Sequence, residues 1–162
     1  MKNDRLSPRE TPIQAGETAQ DFTLTDQGRK EWKLSDAIRQ GDVVLCFFPM
    51  AFTGVCGTEM KCVSAEIGKW QAKGAQVVGV SCDSFATLKA WAEAEGLKQT
   101  MLADMHRQVC KAYGFYWPDL NVSSRGTVVI GKDASGTGKV KWAQAREIPK
   151  AMNFDEVMAA VA

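Results

Sequence analysis

Residues 43–48 read Val-Val-Leu-Cys-Phe-Phe, an unbroken apolar run held between Gly41 and Pro49. A run of this length suits a strand and falls far short of the ~20 residues that an apolar helix needs to cross a bilayer. A strand with no polar alternation has no face to give to water, so it must be covered on both sides. Everything else the chain builds has to meet that demand.

The flanking sequence supplies the covering layers. Asp26-Gln27-Gly28 separates residues 22–25 from 32–34, a hairpin signal. Beyond Pro49, the residues Met60, Val63, Ile67 and Trp70 recur at helical steps and predict one buried helix face. Cys56 lies one turn before Met60 on that face, at the helix N-terminus. Gly74 closes the helix, 77–81 reads as a second buried strand, and Ser84 is placed to cap a helix whose Leu88 and Trp91 turn inward. A short strand at 100–103 and a helix at 107–113 follow. Residues 127–130 and 140–145 predict antiparallel strands joined by Asp133-Ala134-Ser135-Gly136. Asn153, three residues before Glu156, opens a last helix running nearly to Ala162.

This order predicts an α/β chain: a central mixed β-sheet flanked by helices on both faces, thioredoxin-like in architecture. The 162 residues contain no internal repeat and no low-complexity stretch. A single domain over 1–162 is expected, with 1–15 as an N-terminal arm that holds two of the five prolines.

Composition removes several classes of function. A formal net charge of +1 and the lack of a basic stripe predict no nucleic-acid partner. No segment is apolar enough to predict a membrane partner. The first ten residues carry no apolar signal-peptide segment, so a reducing, cytoplasmic location is expected. In such a compartment the five cysteines (Cys46, Cys56, Cys62, Cys82 and Cys110) do not read as a disulfide framework. One histidine, His106, and no C-x-x-C pair leave no tetrahedral ligand set in the sequence, so neither a metal nor an organic cofactor is expected. Cys46, Cys82 and Cys110 occupy strand or helix positions suited to buried, inert thiols. His106 is assigned no role.

Cys56 is different. It follows Phe47-Phe48-Pro49-Met50-Ala51-Phe52-Thr53-Gly54-Val55, so the chain leaves a buried strand and delivers a thiol to the first turn of a helix. Free backbone N–H groups and the positive end of the helix dipole favour a thiolate there. Pro49 fixes the exit from the strand and shields the sulfur. Thr53, three residues before Cys56, offers a hydroxyl to the sulfur or to an incoming oxygen. Taken alone, a cysteine near a helix start is more often a small buried hydrophobe, and an isolated Arg125 would be a solvated charge.

The pattern Pro49-x-x-x-Thr53-x-x-Cys56 resembles the active-site signature of the peroxiredoxins, and the longer string around it is most similar to their alkyl hydroperoxide reductase E subgroup. Ser124-Arg125-Gly126-Thr127-Val128-Val129-Ile130 resembles the strand that carries that family's active-site arginine. Further similarity at Asp21-Phe22-Thr23-Leu24, Val78-Gly79-Val80-Ser81 and Ala112-Tyr113-Gly114 extends the match from about Gly16 to the C-terminus.

The resemblance implies a thiol-dependent peroxidase that reduces hydrogen peroxide, organic hydroperoxides and peroxynitrite. Cys56 would be the peroxidatic thiolate, Arg125 would stabilise it and the leaving oxygen, and Thr53 would hydrogen-bond the substrate. Pro49 would cover the site, and Glu59 matches a position that orients the arginine. The Cys56 sulfenic acid would then be reduced by an external thiol, either a thioredoxin-like protein or a low-molecular-weight thiol. A peroxide sensor or redox relay that oxidises a partner protein is the alternative use of the same cysteine. A homodimer is expected, with Phe52 and Phe115-Tyr116-Trp117-Pro118 as an aromatic cluster at its interface. Trp91 is expected to pack in the core.

Cys62 is the candidate resolving cysteine. It lies six residues beyond Cys56, about 120° off the core stripe and ~9 Å along the axis, so pairing requires the first helical turns to unwind. Peroxiredoxins that pair cysteines along this helix usually space them by five residues, and no cysteine follows Cys110. The one-cysteine cycle with an external thiol is therefore the leading expectation.

Overall fold

The structure, a computed structural model, describes residues 3–147, 149–150 and 152–161. Its main sheet holds β1 (Thr23–Asp26), β2 (Glu31–Lys33), β3 (Val43–Phe47), β4 (Gln76–Ser81), β5 (Thr100–Ala103), β8 (Arg125–Ile130) and β9 (Val140–Arg146). Strand order is β2-β1-β5-β4-β3-β8-β9. Strands β3, β4 and β5 run parallel, and the remaining pairings are antiparallel. A separate short ladder joins β6 (Tyr116–Trp117) to β7 (Val122–Ser123).

Strand β3 sits inside the sheet, between parallel β4 and antiparallel β8, and is buried along its whole length, as its unbroken apolar run requires. Its side chains alternate between two cores. Val43, Leu45 and Phe47 join the core covered by α1 (Leu34–Gln40) and α5 (Gln108–Tyr113). Val44, Cys46 and Phe48 join the core covered by α2 (Gly54–Ala65), α3 (Ile67–Ala72), α4 (Phe85–Glu95) and α6 (Phe154–Ala160). The expected mixed sheet with helices on both faces is present.

Two caps form as the sequence predicts. Ser84 Oγ accepts the Thr87 amide at 3.1 Å, and Asn153 Oδ1 accepts the Asp155 and Glu156 amides at 3.0 and 3.3 Å. The helix carrying Cys56 differs from expectation: it breaks at Glu66, whose backbone angles are φ −100 and ψ 9. Ser64 and Gly68 flank the break, the residue types at which helices bend most readily. The bend leaves Ile67 only half-buried and turns Trp70 inward, 6.4 Å from the Phe154 ring.

Gly79 lets α2 approach the sheet closely. A Cβ there would sit 2.9 Å from Met101 and 3.2 Å from the Met60 sulfur. The N-terminal segment is tied along the body through Asn3–Thr23, Ser7–Gln20 and the Ile13 amide on the Tyr113 carbonyl. Met1 and Lys2 of the expected arm lie outside the described residues.

Candidate active site

Cys56 is the third residue of α2 and is 1% exposed. The loop before it, residues 49–53, makes a sharp exit from β3. Pro49 is buried at its start, and Phe52 takes a left-handed φ of 60° with its ring 59% exposed. That conformation is costly for a bulky residue and needs external support. Asp83 supplies it from just beyond β4: its Oδ2 accepts the Ala51 amide at 2.9 Å and the Ser81 hydroxyl at 2.7 Å.

Thr53 is the N-cap residue of α2, but its side chain does not cap the helix. Its hydroxyl donates to the Met50 carbonyl at 2.8 Å. The hydroxyl proton is thus committed within the loop, which leaves the oxygen as an acceptor. The first-turn amides of α2 point out of a helix end that carries no side-chain cap, an environment suited to negative charge.

Arg125, the first residue of β8, is 1% exposed rather than solvated. Its Nη2 donates to Cys56 Sγ at 3.0 Å. The antiparallel β3–β8 pairing aligns Phe47 with Gly126, so the arginine emerges beside the loop that carries the cysteine. Gly126 has to lack a side chain, because a Cβ there would meet the Phe115 ring at 2.2 Å.

Glu59 lies one helical turn after Cys56 and is fully buried. Its Oε1 is 3.5 Å from Arg125 Nη1, while its Oε2 accepts the Met152 amide at 2.8 Å and Arg146 Nη2 at 3.3 Å. Burial lowers the Arg146 guanidinium from its ordinary value, and Glu59 works against that shift. Two guanidinium groups on one carboxylate leave one net positive charge, which a Cys56 thiolate would neutralise in a setting where unpaired charge is expensive.

The structure therefore sets Arg125 against both Cys56 and Glu59 and places Pro49 and Thr53 in the adjoining loop. Arg146 and Asp83 belong to the same assembly, and the sequence reading missed both. The expected strand ended at 145, one residue short of the arginine.

Cys62 is exposed and lies apart, in a groove with Glu66, Lys69, Phe154 and Met158. Cys46, Cys82 and Cys110 are buried, and burial pushes the Cys46 thiol far above its usual range. His106 is exposed. Trp91 is buried, with its ring 5.3 Å from Phe48 and 6.4 Å from Phe52. Of the expected aromatic interface cluster, Phe52 is exposed and Tyr116 and Trp117 are half-buried, but Phe115 is buried against Phe47 at 4.8 Å.

Residues 15–143 match the model of the AhpC/TSA family. The chain is 32% identical over 126 residues to alkyl hydroperoxide reductase E of Mycobacterium tuberculosis, covering 76% of this chain and 81% of that protein. It is 36% identical over 155 residues to peroxiredoxin-2 of Mus musculus, covering 90% of this chain and 76% of that protein. Among solved structures, the peroxidoxin BcpB of Mycobacterium tuberculosis superposes with a TM-score of 0.80 at 26% identity, over 91% of this chain and 96% of the other. A buried cysteine held by a strand-borne arginine at the start of a helix, in a chain with these relatives, belongs to the AhpC/TSA family of peroxiredoxins.

Proposed function

We propose that the chain is a thiol-dependent peroxidase that reduces hydrogen peroxide, organic hydroperoxides and peroxynitrite through a sulfenic acid on Cys56. The observation that carries this reading is the 3.0 Å contact from Arg125 Nη2 to Cys56 Sγ, made between two buried side chains. The sulfur attacks one peroxide oxygen, the O–O bond breaks, and the other oxygen leaves as water, alcohol or, from peroxynitrite, nitrite. Arg125 faces the negative charge as it passes from sulfur to the leaving oxygen, in a site where a fixed donor is worth far more than in water. The Thr53 oxygen accepts the peroxide O–H, the α2 first-turn amides hold the substrate, and Pro49 excludes water. Glu59, held by Arg146 and the Met152 amide, keeps Arg125 in place.

An external thiol, from a thioredoxin-like protein or a small molecule, then reduces the sulfenic acid with release of water. That chemistry belongs in a reducing cytoplasmic setting. No helix among the described residues is long and apolar enough to cross a membrane. We also place the chain in a single domain over 1–162 and in a homodimer, whose contact includes the exposed Phe52 and Met50 beside the active site. A redox relay would use the same cysteine, but a 1% exposed sulfur favours a small peroxide over a protein as its first partner.

Mass spectrometry after one equivalent of peroxide, combined with steady-state peroxide consumption under a thiol reductant, tests the reading. One added oxygen on Cys56 and sustained turnover support it. Oxidation confined to other cysteines, or no turnover with any thiol, overturns it. A monomeric mass by light scattering at micromolar concentration in both redox states would remove the dimer.

A further inference from the structure

Cys82 and Cys110 are 28 positions apart in sequence, yet their sulfurs lie 3.8 Å apart. They join the core on the face covered by α1 and α5, whereas Cys56 belongs to the core on the opposite face of the sheet. Cys82 sits in the bend just after β4, outside regular secondary structure, and is 8% exposed; Cys110 is in the first turn of α5 and is fully buried. The Asp104 carboxylate completes the cluster, with an oxygen within 4.8 Å of both sulfurs. It is fixed there by the Val109 amide at 3.1 Å and the Cys110 amide at 2.8 Å. Burial raises Asp104 from its ordinary value, so it can hold a proton more readily than a solvated aspartate.

We infer that Cys82 and Cys110 form a second redox-active dithiol, which closes to an internal disulfide when peroxide exceeds what Cys56 consumes. The sulfurs are already in contact. Bond formation asks each to give way by about 1 Å toward a separation of ~2.05 Å, and the bend at Cys82 can supply that movement. Cys82, the more accessible of the two, attacks the peroxide: an S–O bond forms, the O–O bond breaks, and the alkoxide leaves as alcohol with the Cys82 proton. Cys110 then attacks the Cys82 sulfur and expels hydroxide. The Cys110 proton passes by way of Asp104 to that hydroxide, giving water. Two thiols lose two electrons, and one peroxide is reduced to alcohol and water. The sulfur contact with Cys82, and then burial, raise the Cys110 thiol, so this pair reacts later than a thiol paired with an arginine.

The test is cysteine mapping of the native chain across a hydrogen peroxide series, with acid quenching before alkylation in denaturant. The expected result is a Cys82–Cys110 linked peptide that appears only after Cys56 is oxidised and is reversed by dithiothreitol, while Cys46 stays alkylated throughout. A Cys56→Ser, Cys62→Ser double variant is expected to give the same link, showing that it forms without the peroxidatic cysteine. Free, alkylated Cys82 and Cys110 at peroxide levels that drive Cys56 to the sulfinic acid would overturn the inference. So would a linkage of Cys82 to Cys46 or Cys62. One Zn²⁺ bound per reduced chain and lost in Cys82→Ser, with no link after oxidation, would replace the dithiol with a closed metal site. None of these outcomes bears on the role of Cys56.

Discussion

Arg125 and Arg146 are direct partners across the β8–β9 ladder, and both guanidinium groups turn to the single carboxylate of Glu59. Like charges opposite one another in a sheet ordinarily repel. Here Glu59 screens them, and the excess positive charge faces the Cys56 sulfur.

Glu59→Gln therefore removes the only charge among these side chains that separates two buried arginines. Breaking a buried ionic cluster by deleting one partner costs about 3–5 kcal/mol. The variant is expected to unfold at lower urea and to reduce peroxide more slowly, because Arg125 loses its support. Urea melts and single-turnover kinetics, read together, check this. An unchanged melt would mean that the Glu59 charge is dispensable in the folded protein.

Cys56→Ser is expected to abolish peroxide consumption while keeping the fold, since it removes the nucleophile and little volume. Arg125→Lys keeps the charge but loses the planar fork that reaches sulfur and carboxylate together. It is expected to lower the peroxide rate constant by about 10²–10³, the scale of losing one preorganised donor. Stopped-flow tryptophan fluorescence measures both, and a near-native rate in either variant removes that residue from the mechanism.

How far the site was legible follows from how it is assembled. Pro49, Thr53, Cys56 and Glu59 fall within eleven consecutive positions on one strand–loop–helix unit, so the resemblance to the peroxiredoxin signature groups them in one stretch of sequence. Arg125 was found because residues 124–130 resemble the family's arginine-bearing strand; taken alone it read as a solvated charge. Arg146 and Asp83 carry no such pattern: one reaches the site through strand register, the other through a loop amide 32 residues away. The Cys82–Asp104–Cys110 cluster was hidden for the same reason, since three loop and helix ends meet only once β4, β5 and α5 are stacked. The break at Glu66 was masked by an apolar stripe that continues across it.

Gly126→Ala probes the link between packing and site. The new methyl would meet the Phe115 ring at 2.2 Å, and that ring is wedged against Phe47. Overpacking of this kind costs roughly 1–3 kcal/mol. The strain also falls next to Arg125, so a drop in peroxide rate larger than in a distant core variant of equal stability is expected.

Burial of Cys46 makes stability fall at alkaline pH. Its folded thiol is held far above the ordinary value of 9.0, first by desolvation and then by the Glu59 carboxylate. The folded state keeps this proton while the unfolded chain releases it, so the contribution is complete below about pH 8.5 and is lost as pH rises beyond it. Each such thiol steepens the decline by about 1.4 kcal/mol per pH unit. Cys46→Ala is expected to flatten the slope by that amount between pH 9 and 10.5 in urea melts under reductant. An unaltered slope would show that Cys46 ionises in place.

Cys62→Ser decides how the catalytic cycle closes. Cys62 is exposed, whereas Cys56 is buried in the first turn of α2, held by Arg125 at 3.0 Å. Joining the two sulfurs requires the first turns of α2 to unwind, which breaks the Arg125 contact and uncovers the Cys56 sulfur. After oxidation that contact matters less, because a neutral sulfenic acid gains less from a guanidinium than a thiolate does, so unwinding is easier then than before. The groove beside Cys62, lined by Lys69, Phe154 and Met158, is nonetheless well formed in the folded helix. The expected outcome is a variant with native single-turnover peroxide reduction and native recycling by a thioredoxin-type reductant, which supports attack by an external thiol on Cys56. A preserved first turnover with collapsed recycling, together with a mapped Cys56–Cys62 link in the native chain, would instead make Cys62 the resolving cysteine and make unwinding of α2 an obligatory step of the cycle.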